Sequence, residues 1–399
     1  MTALTTGSEA WWQSKNGPEW RREKGKYRVT FWWRDPAGTQ RTSPIKRVWL
    51  YVTGVTDHHQ NARPQSLERI PDTDVWQWQG EFFPAWRGSY CFIPSVNEND
   101  FADAVFAGQK PDRLALREGW RKLLPHAVSD PLNPQSWRGG RGHAVSALEM
   151  PEAPVQAGWQ HSDTPHNAPV CIEWESARLK NRRRVWIFTT GDENPERPLA
   201  VLLDGQFWAE SMPVWPALTS LTAGRKLPPA VYVLIDVIDM AHRNSELPCN
   251  PDFWLAVQEE LLPLVKKHAP FSDRADRTVV AGQSFGGLSS LYAGLNWPQR
   301  FGCVLSQSGS YWWPHRGGQQ EGRLIEQLRA GEITARGLRI VLEAGRNEPL
   351  IFNANQAIYA ELHAQQQVYW RQVDGGHDAL CWRGGLTQGL ITLWQPLIQ

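Results

Sequence analysis

The sequence lacks the charge imbalance and the long apolar runs that mark several specialised classes of protein. Its 42 lysines and arginines almost balance 41 aspartates and glutamates, so the formal net charge is +1. Such a balance gives no support for a general role on nucleic acid or on a membrane surface. No stretch approaches the apolar length that a membrane-spanning helix needs. We therefore expect neither nucleic acid nor a membrane as a partner.

An export signal and a cysteine pattern are also missing. The first twenty residues, MTALTTGSEAWWQSKNGPEW, have neither the apolar segment nor the cleavage site of a secretion signal. The five cysteines are odd in number, lie far apart and include no C-x-x-C pair. This usage favours buried thiols in a reducing compartment over a disulfide framework. We expect a cytoplasmic protein.

The length and the early strand patterns predict two domains. A chain of 399 residues is long for one hydrophobic core. Short segments that alternate apolar and polar residues between turn formers occur at 27–35, 46–54, 75–83 and 88–94. Strands at this spacing predict an N-terminal β-sandwich domain over residues 1–150, with a helical pattern at 101–124. Residues 151–169, rich in proline, glycine and polar residues, are interpreted as a linker.

From residue 170 onward, strand and helix patterns alternate. Continuous apolar runs at 198–205 and 230–239 are typical of strands buried on both faces. The helical pattern of 252–268 ends in Lys-Lys-His, which complements the helix dipole, and a last helix is predicted from about 385 to 397. This alternation predicts an α/β domain with a mostly parallel sheet over residues 170–399. Ligands of such sheets bind at the carboxyl ends of the strands.

One short motif indicates nucleophilic chemistry. Residues 282–286 read G-Q-S-F-G and lie between a predicted strand and a predicted helix. In that context G-x-S-x-G is typical of a nucleophile elbow, in which the serine occupies a strained tight turn. Small neighbours let the strand and the helix approach closely. We predict that Ser284 is a catalytic nucleophile; the alternative is a glycine-rich turn that only packs.

A serine hydroxyl needs a base, and in this kind of fold the partners follow in the order serine, acid, histidine. Only His377 fits, because it follows the last predicted strand near the C-terminus, in GGHDALCW. The other loop histidines are interpreted as exposed, with no convincing metal-ligand spacing: His58, His59, His161, His166 and His315. We predict His377 as the base and no metal site.

The acid is expected just beyond the strand LRIVLEAG. Glu348 in RNEPL is the first choice, and it departs from the aspartate of many relatives of this fold. Glu343 is predicted to lie within the strand, where a buried, paired structural carboxylate is the alternative interpretation. Asp374 and Asp378 flank His377, and sequence neighbours rarely reach back to orient the ring. The third member of the triad therefore stays open.

The oxyanion hole needs two N–H donors. One is predicted to be the N–H of Phe285, the residue after the nucleophile. The second is predicted in the loop after AVLLDG, at Gln206 or Phe207. Removing one such donor typically lowers the rate by about 10²–10³-fold.

Five segments, taken in order, resemble one known family: LLDGQFW, HRNSELPCNPDFW, VVAGQSFGGLSSLYAGLNWPQRFGCVLSQSGSYWW, LEAGRNEPLI and GGHDALCWR. The chain resembles the enterochelin esterases of the α/β-hydrolase superfamily, which hydrolyse ferric enterobactin. The resemblance covers nearly the full chain, because the family also carries an N-terminal β-sandwich domain of about this length.

The resemblance implies hydrolysis of the trilactone ester bonds of ferric enterobactin to dihydroxybenzoylserine units, which eases the release of iron in the cytoplasm. It implies no cofactor, since iron is part of the siderophore substrate. Residue by residue, it places the nucleophile and the base on Ser284 and His377. It supports Glu348 only by its position after EAG.

The implied substrate, a ferric tris-catecholate, carries three negative charges, so cations are expected near the site. Arg243 in AHRNSEL lies beyond the carboxyl end of a predicted strand, and the resemblance points to the same arginine. We predict a substrate contact; the alternative is a structural ion pair with Glu246.

Further arginines and two tryptophans are candidate substrate contacts. Arg346 and the pair Arg138 and Arg141 lie in predicted loops, where charged residues are usually only solvated. Trp312 and Trp313 follow the strand CVLSQSG on the active-site side, where their flat faces suit catechol rings. Core packing is the alternative for both tryptophans.

Two other functions fit parts of the sequence. The first is a feruloyl or acetyl ester hydrolase with the N-terminal domain as a carbohydrate-binding module; the absent export signal argues against it. The second is a siderophore binder without activity, which the order of Ser284 and His377 disfavours.

Overall fold

The structure is a computed structural model that describes residues 3–138, 142–315 and 321–398. It divides into two compact units. The N-terminal unit is Met1–Pro154 together with two short segments from the C-terminal half, Arg346–Glu348 and Asp374–Cys381. The C-terminal unit is the remainder of the chain. No helix or strand lies between Glu149 and Val170.

The N-terminal unit is built on one antiparallel sheet in the order β1-β2-β5-β4-β3-β6-β8-β7. Its strands are β1 (Glu19–Glu23), β2 (Lys26–Arg34), β3 (Arg47–Val52), β4 (Gln65–Arg69), β5 (Val75–Phe82), β6 (Arg87–Ser95), β7 (Ser136–Arg138) and β8 (Ala144–Glu149). The four segments predicted as strands correspond to β2, β3, β5 and β6. The strand β4 pairs with both β3 and β5. It therefore connects the two halves of the sheet, β1-β2-β5 and β3-β6-β8-β7, into a single sheet.

Alternation along β3 shows how this sheet is covered on both faces. Val48, Leu50 and Val52 belong to an apolar cluster shared with β2, β4, β5 and β6. The intervening Trp49 and Tyr51 pack with the helix α2 (Arg113–Leu123) on the other face. This is the period of two that a strand requires. A short first helix, α1 (Glu9–Gln13), precedes the sheet.

The predicted helix at 101–124 is correct only in its second half. Residues 103–105 form one 3₁₀ turn, and α2 begins at Arg113, where Asp112 accepts a hydrogen bond from the N–H of Ala115. Gly108 and Pro111 interrupt the helical pattern before that cap.

The C-terminal unit contains a sheet in the order β16-β15-β14-β13-β11-β12-β10-β9. Its strands are β9 (Val170–Ser176), β10 (Asn181–Thr189), β11 (Leu199–Leu202), β12 (Val231–Ile235), β13 (Thr278–Gln283), β14 (Cys303–Gln307), β15 (Arg339–Gly345) and β16 (Val368–Val373). The pairs among β11 to β16 are parallel, and β10 is antiparallel to β9 and β12. The predicted mostly parallel sheet is confirmed.

Helices cover both faces of this sheet. They are α3 (Trp215–Ala223), α4 (Met240–Glu246), α5 (Pro251–Ala256), α6 (Leu262–His268), α7 (Phe285–Asn296), α8 (Arg323–Arg329), α9 (Pro349–His363) and α10 (Ala379–Trp394). Val231, Val233 and Ile235 of β12 belong to one large cluster that includes α5 to α9. On the opposite face, Tyr232 lies 5.8 Å from Trp394 of α10, measured between ring centroids. The predicted α/β class is confirmed.

The last helix differs from its prediction. It begins at Ala379 rather than near 385, because the carboxylate of Asp378 accepts a hydrogen bond from the N–H of Leu380 (2.9 Å) and caps the first turn. It ends at Trp394, two residues before Pro396. None of the helices in the described ranges combines the length and the apolar character that crossing a bilayer requires.

A buried ion pair joins β10 to α4 in the C-terminal unit. Nη2 of Arg183 donates to both carboxylate oxygens of Glu246, at 2.8 and 2.7 Å, and the side chains are 2% and 7% exposed. The alternative in which Glu246 pairs with Arg243 is therefore wrong.

A second carboxylate, Asp57 of the N-terminal unit, is buried without a cationic partner of this kind. Burial raises the pKa of Asp57 to about 7, the backbone of Gly54 and the side chain of Gln60 lower it, and the carboxylates of Glu348 and Asp378 raise it.

Glu246→Ala should destabilise the protein by about 3–5 kcal/mol, because Arg183 is left buried without a counter-charge. Urea unfolding monitored by tryptophan fluorescence measures this change. The exposed pair of Arg182 and Glu173 (70% and 63% exposed) supplies the control, and Glu173→Ala should change stability by less than about 1 kcal/mol. Equal effects of the two substitutions would contradict the structural role of Glu246.

Asp57 predicts a pH dependence of stability. Because its folded pKa lies above the unfolded value, the folded protein holds a proton that the unfolded chain releases near pH 4, so stability falls as pH rises toward 7. The free energy of unfolding, taken relative to Asp57→Asn, should fall by roughly 2–3 kcal/mol between pH 5 and 8. The control is the exposed Asp72→Asn, for which the difference in free energy of unfolding from the wild type should not change with pH. If the difference between the wild type and Asp57→Asn were also independent of pH, Asp57 would not be buried as a neutral acid.

Candidate active site

The predicted site residues follow the carboxyl ends of parallel strands in the C-terminal unit. Ser284 follows β13 directly, and Gln206 comes four residues after the end of β11. Arg243 lies on α4, which follows β12. The loops that begin after β15 and β16 carry Glu348 and His377. Carboxyl ends of neighbouring parallel strands meet at one edge, where ligands of such sheets bind.

The backbone at Ser284 has the strained geometry of a nucleophile elbow. Its φ is +60° and its ψ is −122°, which a non-glycine residue adopts only when its surroundings impose it. A Cβ atom on Gly282 would lie 2.3 Å from the carbonyl oxygen of Gly286 and 2.7 Å from its Cα. The strand and the helix therefore meet so closely that position 282 admits no side chain. This contact explains the first glycine of the motif.

Several backbone groups fix the serine. Its N–H donates to the carbonyl of Gln307 (3.0 Å), and its own carbonyl accepts from Leu288 of α7 (3.1 Å). The hydroxyl oxygens of Ser284 and Ser310 are 3.4 Å apart. Because Ser284 is the cap of α7, the first N–H groups of this helix and its dipole favour negative charge beside the hydroxyl.

The two predicted oxyanion segments follow two neighbouring strands, β13 and β11. Phe285 is the first residue of α7, where the backbone N–H has no partner within the helix. Phe207 donates its N–H to the carbonyl of Asp204 (3.0 Å), which leaves Gln206 as the predicted second donor. Gly205 must be glycine, because a Cβ there would lie 2.4 Å from the backbone N of Ile235.

Gln283, the residue before Ser284, belongs to a series of hydrogen-bonded polar side chains. Gln283 accepts from Nε1 of Trp208 (3.1 Å) and donates to Gln307 (2.9 Å). Gln307 donates to Glu343 (3.0 Å), and Nε of Arg371 lies 3.0 Å from the other oxygen of that carboxylate. Glu343 is 1% exposed and lies within β15, so it is the structural carboxylate of the alternative interpretation.

Within the N-terminal unit, the predicted acid and base contact each other. Nδ1 of His377 lies 2.9 Å from Oε2 of Glu348, and their side chains are 16% and 0% exposed. With Nδ1 donating to the carboxylate, Nε2 is the nitrogen that can accept a proton. Asp374 pairs with Arg346 (3.3 Å), and Asp378 caps α10, so neither flanking aspartate is assigned to the imidazole.

The structure adds a residue that sequence analysis missed. The ring of His59 lies 4.9 Å from the ring of His377, and His58 lies 4.1 Å from His59, measured between centroids. The hydroxyl of Tyr51 lies 2.7 Å from Nδ1 of His58. Both histidines are partly buried, so the interpretation of them as exposed loop residues is wrong. No local pattern in the sequence marks this contact, because more than 300 residues separate His59 from His377.

Arg243 is held by Asp204. Its Nε and Nη2 donate to the two carboxylate oxygens (2.8 and 3.0 Å), and Nη2 also donates to the carbonyl of Gln283 (3.3 Å). Burial opposes the charge of the guanidinium, but the attraction of Asp204 outweighs it, so the pKa of Arg243 is raised. This charged arginine is 13% exposed, and its bond to the carbonyl of Gln283 ends on the residue before Ser284.

The remaining candidates have different surroundings. The ring of Trp312 lies 5.9 Å from that of Phe285, the residue after Ser284. Trp313 packs against the main core, with the guanidinium of Arg323 4.5 Å from its ring centre. Arg141 and the side chain of Arg138 lie outside the described residues. Over the described ranges, no three His, Cys, Asp or Glu side chains form a group that could hold a metal ion.

Comparison with known families gives two matches that together span most of the chain. Residues 28–159 match the family model "Enterochelin esterase, N-terminal", and residues 176–393 match the model described as "Putative esterase". A ferulic acid esterase from Anaeromyces mucronatus is 18% identical, with a TM-score of 0.51 over 61% of this chain and 97% of that protein, which shows a shared fold alone.

Much closer relatives cover the whole chain. The iron(III) enterobactin esterase of Escherichia coli O6:H1 is 71% identical over 100% of this chain and 99% of the relative. The crystal structure of a ferric enterobactin esterase from Salmonella typhimurium has a TM-score of 0.95 at 69% identity, covering 98% of this chain and all of that one. An enterobactin esterase from Shigella flexneri, crystallised in the presence of enterobactin, has a TM-score of 0.89 at 70% identity over 99% of this chain and all of that one. The chain is thus an ester hydrolase and belongs to the enterochelin (iron(III) enterobactin) esterase family.

Proposed function

We propose that this esterase hydrolyses the trilactone ester bonds of ferric enterobactin to dihydroxybenzoylserine units and thereby allows the release of iron. The observation that carries the proposal is the strained backbone of Ser284 in a chain 71% identical to an iron(III) enterobactin esterase. Strain of this kind persists at functional sites, where it holds a reactive group in place.

The proposed mechanism is acyl transfer through Ser284. Its hydroxyl oxygen attacks the ester carbonyl while its proton passes to Nε2 of His377, which Glu348 orients through Nδ1. The oxyanion accepts hydrogen bonds from the N–H groups of Phe285 and Gln206. The C–O bond to the departing serine unit of the substrate then breaks, and His377 returns the proton to that oxygen. Water attacks the acyl-enzyme in the same way and releases the acid and free Ser284.

The fold and the surroundings of the reaction complete the proposal. We regard the C-terminal unit as an α/β-hydrolase domain and the two halves of the N-terminal sheet as the layers of a β-sandwich. Iron belongs to the substrate, and the chemistry above needs no cofactor. None of the five cysteines, all of which lie in the described ranges, forms a disulfide, and four are buried, which suits the reducing cytoplasm. Neither nucleic acid nor a membrane has a part in the reaction.

Arg243, Arg346 and Trp312 are the proposed substrate contacts. Arg243 offers a fixed positive charge next to the elbow, and the three negative charges of a ferric tris-catecholate match it. Arg346 is 57% exposed and supplies a second charge. Trp312 presents a flat aromatic face beside Phe285 for a catechol ring. Trp313 packs against the core of the C-terminal unit, so it is not proposed as a contact.

Ser284→Ala should lower turnover of ferric enterobactin by about 10⁴-fold or more and leave its affinity largely intact, because only the attacking oxygen is lost. Chromatography of the products measures turnover, and quenching of tryptophan fluorescence measures binding. Ser176→Ala is the control, since this buried hydroxyl bonds Glu260 (2.7 Å) rather than the elbow. Wild-type turnover in Ser284→Ala would remove the mechanism, and tight binding without cleavage by the wild type would favour a binding protein.

Arg243→Gln should raise KM for ferric enterobactin about 10-fold, equivalent to ~1.4 kcal/mol of lost attraction. KM for an uncharged p-nitrophenyl ester should change much less, because that substrate carries no charge to attract. Steady-state kinetics on both substrates measure the difference, with the exposed Arg329→Gln as control. An equal loss on both substrates would show that Arg243 only holds Asp204 and the elbow.

A further inference from the structure

The segments that carry the predicted acid and base pack with the N-terminal residues. Glu348 and His377 follow C-terminal strands in sequence, yet residues 346–348 and 374–381 form part of the N-terminal unit. Several hydrogen bonds join these segments to residues 1–154 of the unit. Nε2 of Gln60 donates to the carbonyl of Asn347 (2.5 Å), the N–H of Arg87 donates to the carbonyl of Asp374 (3.2 Å), and Sγ of Cys381 donates to the carbonyl of Arg87 (3.3 Å).

A backbone contact lies immediately before the base. Gly54, in the turn after β3, has a φ of +83°, and a Cβ there would lie 2.9 Å from the N of Gly376 and 2.9 Å from Cβ of Asn347. A Cβ on Gly376 would in turn lie 2.7 Å from both the N and the Cα of Gly54. Two backbone segments touch here without intervening side chains, so neither segment can move toward the other.

A hydrogen-bonded carboxylate lies immediately after the base. Oδ2 of Asp378 accepts from the N–H of Ser89 on β6 (2.6 Å) and from its hydroxyl (2.7 Å). The other oxygen caps α10 through Leu380. Asp378 and Ser89 are 4% and 6% exposed, so the bonds are shielded from water. Charge-assisted bonds of this kind are short and strongly directional.

These contacts bracket His377 on both sides, and the ring of His59 lies against its face. We propose that the N-terminal domain is a working part of the esterase, because it sets the position of the imidazole through Gly54 and Ser89, which are positioning residues. The inference rests on the function proposed above. Reaction rates are sensitive to such placement, since a misplacement of about 1 Å can lower a rate about 10²-fold.

The first test compares two glycines of the same domain with the same backbone strain. Gly54→Ala drives a Cβ into Gly376, whereas Gly25→Ala, at φ +81°, meets nothing within 4 Å. Both substitutions carry the same conformational penalty. The difference in kcat between the two variants therefore measures the effect on the position of His377. We expect Gly54→Ala to lower kcat about 10- to 100-fold on a small p-nitrophenyl ester, with little change in KM and with Gly25→Ala near wild type.

A second pair of variants tests the other side of the imidazole. Ser89→Ala removes one of the two donors to Asp378, and Ser146→Ala removes a buried hydroxyl of the same sheet that bonds the N–H of Asp130 (2.8 Å). We expect only Ser89→Ala to slow hydrolysis, by about 10-fold. The rate of covalent labelling of Ser284 by a fluorophosphonate should fall in parallel, because it depends on activation by His377 and not on the siderophore.

The outcomes separate the two proposals. Thermal unfolding of each full-length variant selects temperatures at which all are folded. If Ser284→Ala is inactive while Gly54→Ala and Ser89→Ala match their controls in kcat and labelling rate, the positioning role is overturned and the esterase mechanism stands. If the small ester is hydrolysed with Ser284 removed, the mechanism itself is overturned. Parallel losses in kcat and labelling, with folding retained, support the positioning role.

Discussion

The close approach of β13 and α7 at Gly282 and Gly286 is the constraint on which the rest of the site depends. With 2.3 Å between a notional Cβ at position 282 and the carbonyl of Gly286, the chain can turn only through the strained backbone of Ser284. That turn presents the hydroxyl at the carboxyl edge of the sheet and begins a helix directly behind it. The polar chain from Trp208 to Arg371 holds the turn from below, so the strain cannot relax by movement of the neighbouring strands.

The electrostatics of the site are arranged in fixed pairs. Arg243 bonds Asp204 and the carbonyl of Gln283, so one guanidinium connects the loop after β11 to the residue before Ser284. The imidazole of His377 lies against a carboxylate with no exposed surface. Arg243 and Glu348 thus each have a polar partner, which is the condition under which charge is tolerated away from water. The net charge of +1 over the whole chain gives no indication of these local charge pairs.

Sequence reasoning succeeded where a local pattern has one physical cause. The alternation of strands and helices after residue 170 indicated a mostly parallel sheet, which is confirmed, and the glycines around Ser284 are explained by a contact between backbones. Glu348 and His377 were predicted from strand order and from the family resemblance, and the structure brings these two side chains together. The roles of these residues in catalysis stay predictions.

It failed where the cause is distant in sequence. The partner of Glu246 is an arginine 63 residues away, and His59 meets His377 across more than 300 residues. No local periodicity reports such contacts. Glu343 shows the same limit, because only its partners Gln307 and Arg371 distinguish a structural carboxylate from a catalytic one.

The membership of residues 346–348 and 374–381 in the N-terminal unit constrains how such esterases can diverge. A chimaera that takes residues 1–154 from one relative and the rest from another would place two foreign peptides against Gly54 and Ser89. Recombination within the family should therefore succeed only when these eleven distal residues travel with the first half of the chain. The gene fragment that encodes the amino-terminal half is, in this sense, not an interchangeable module.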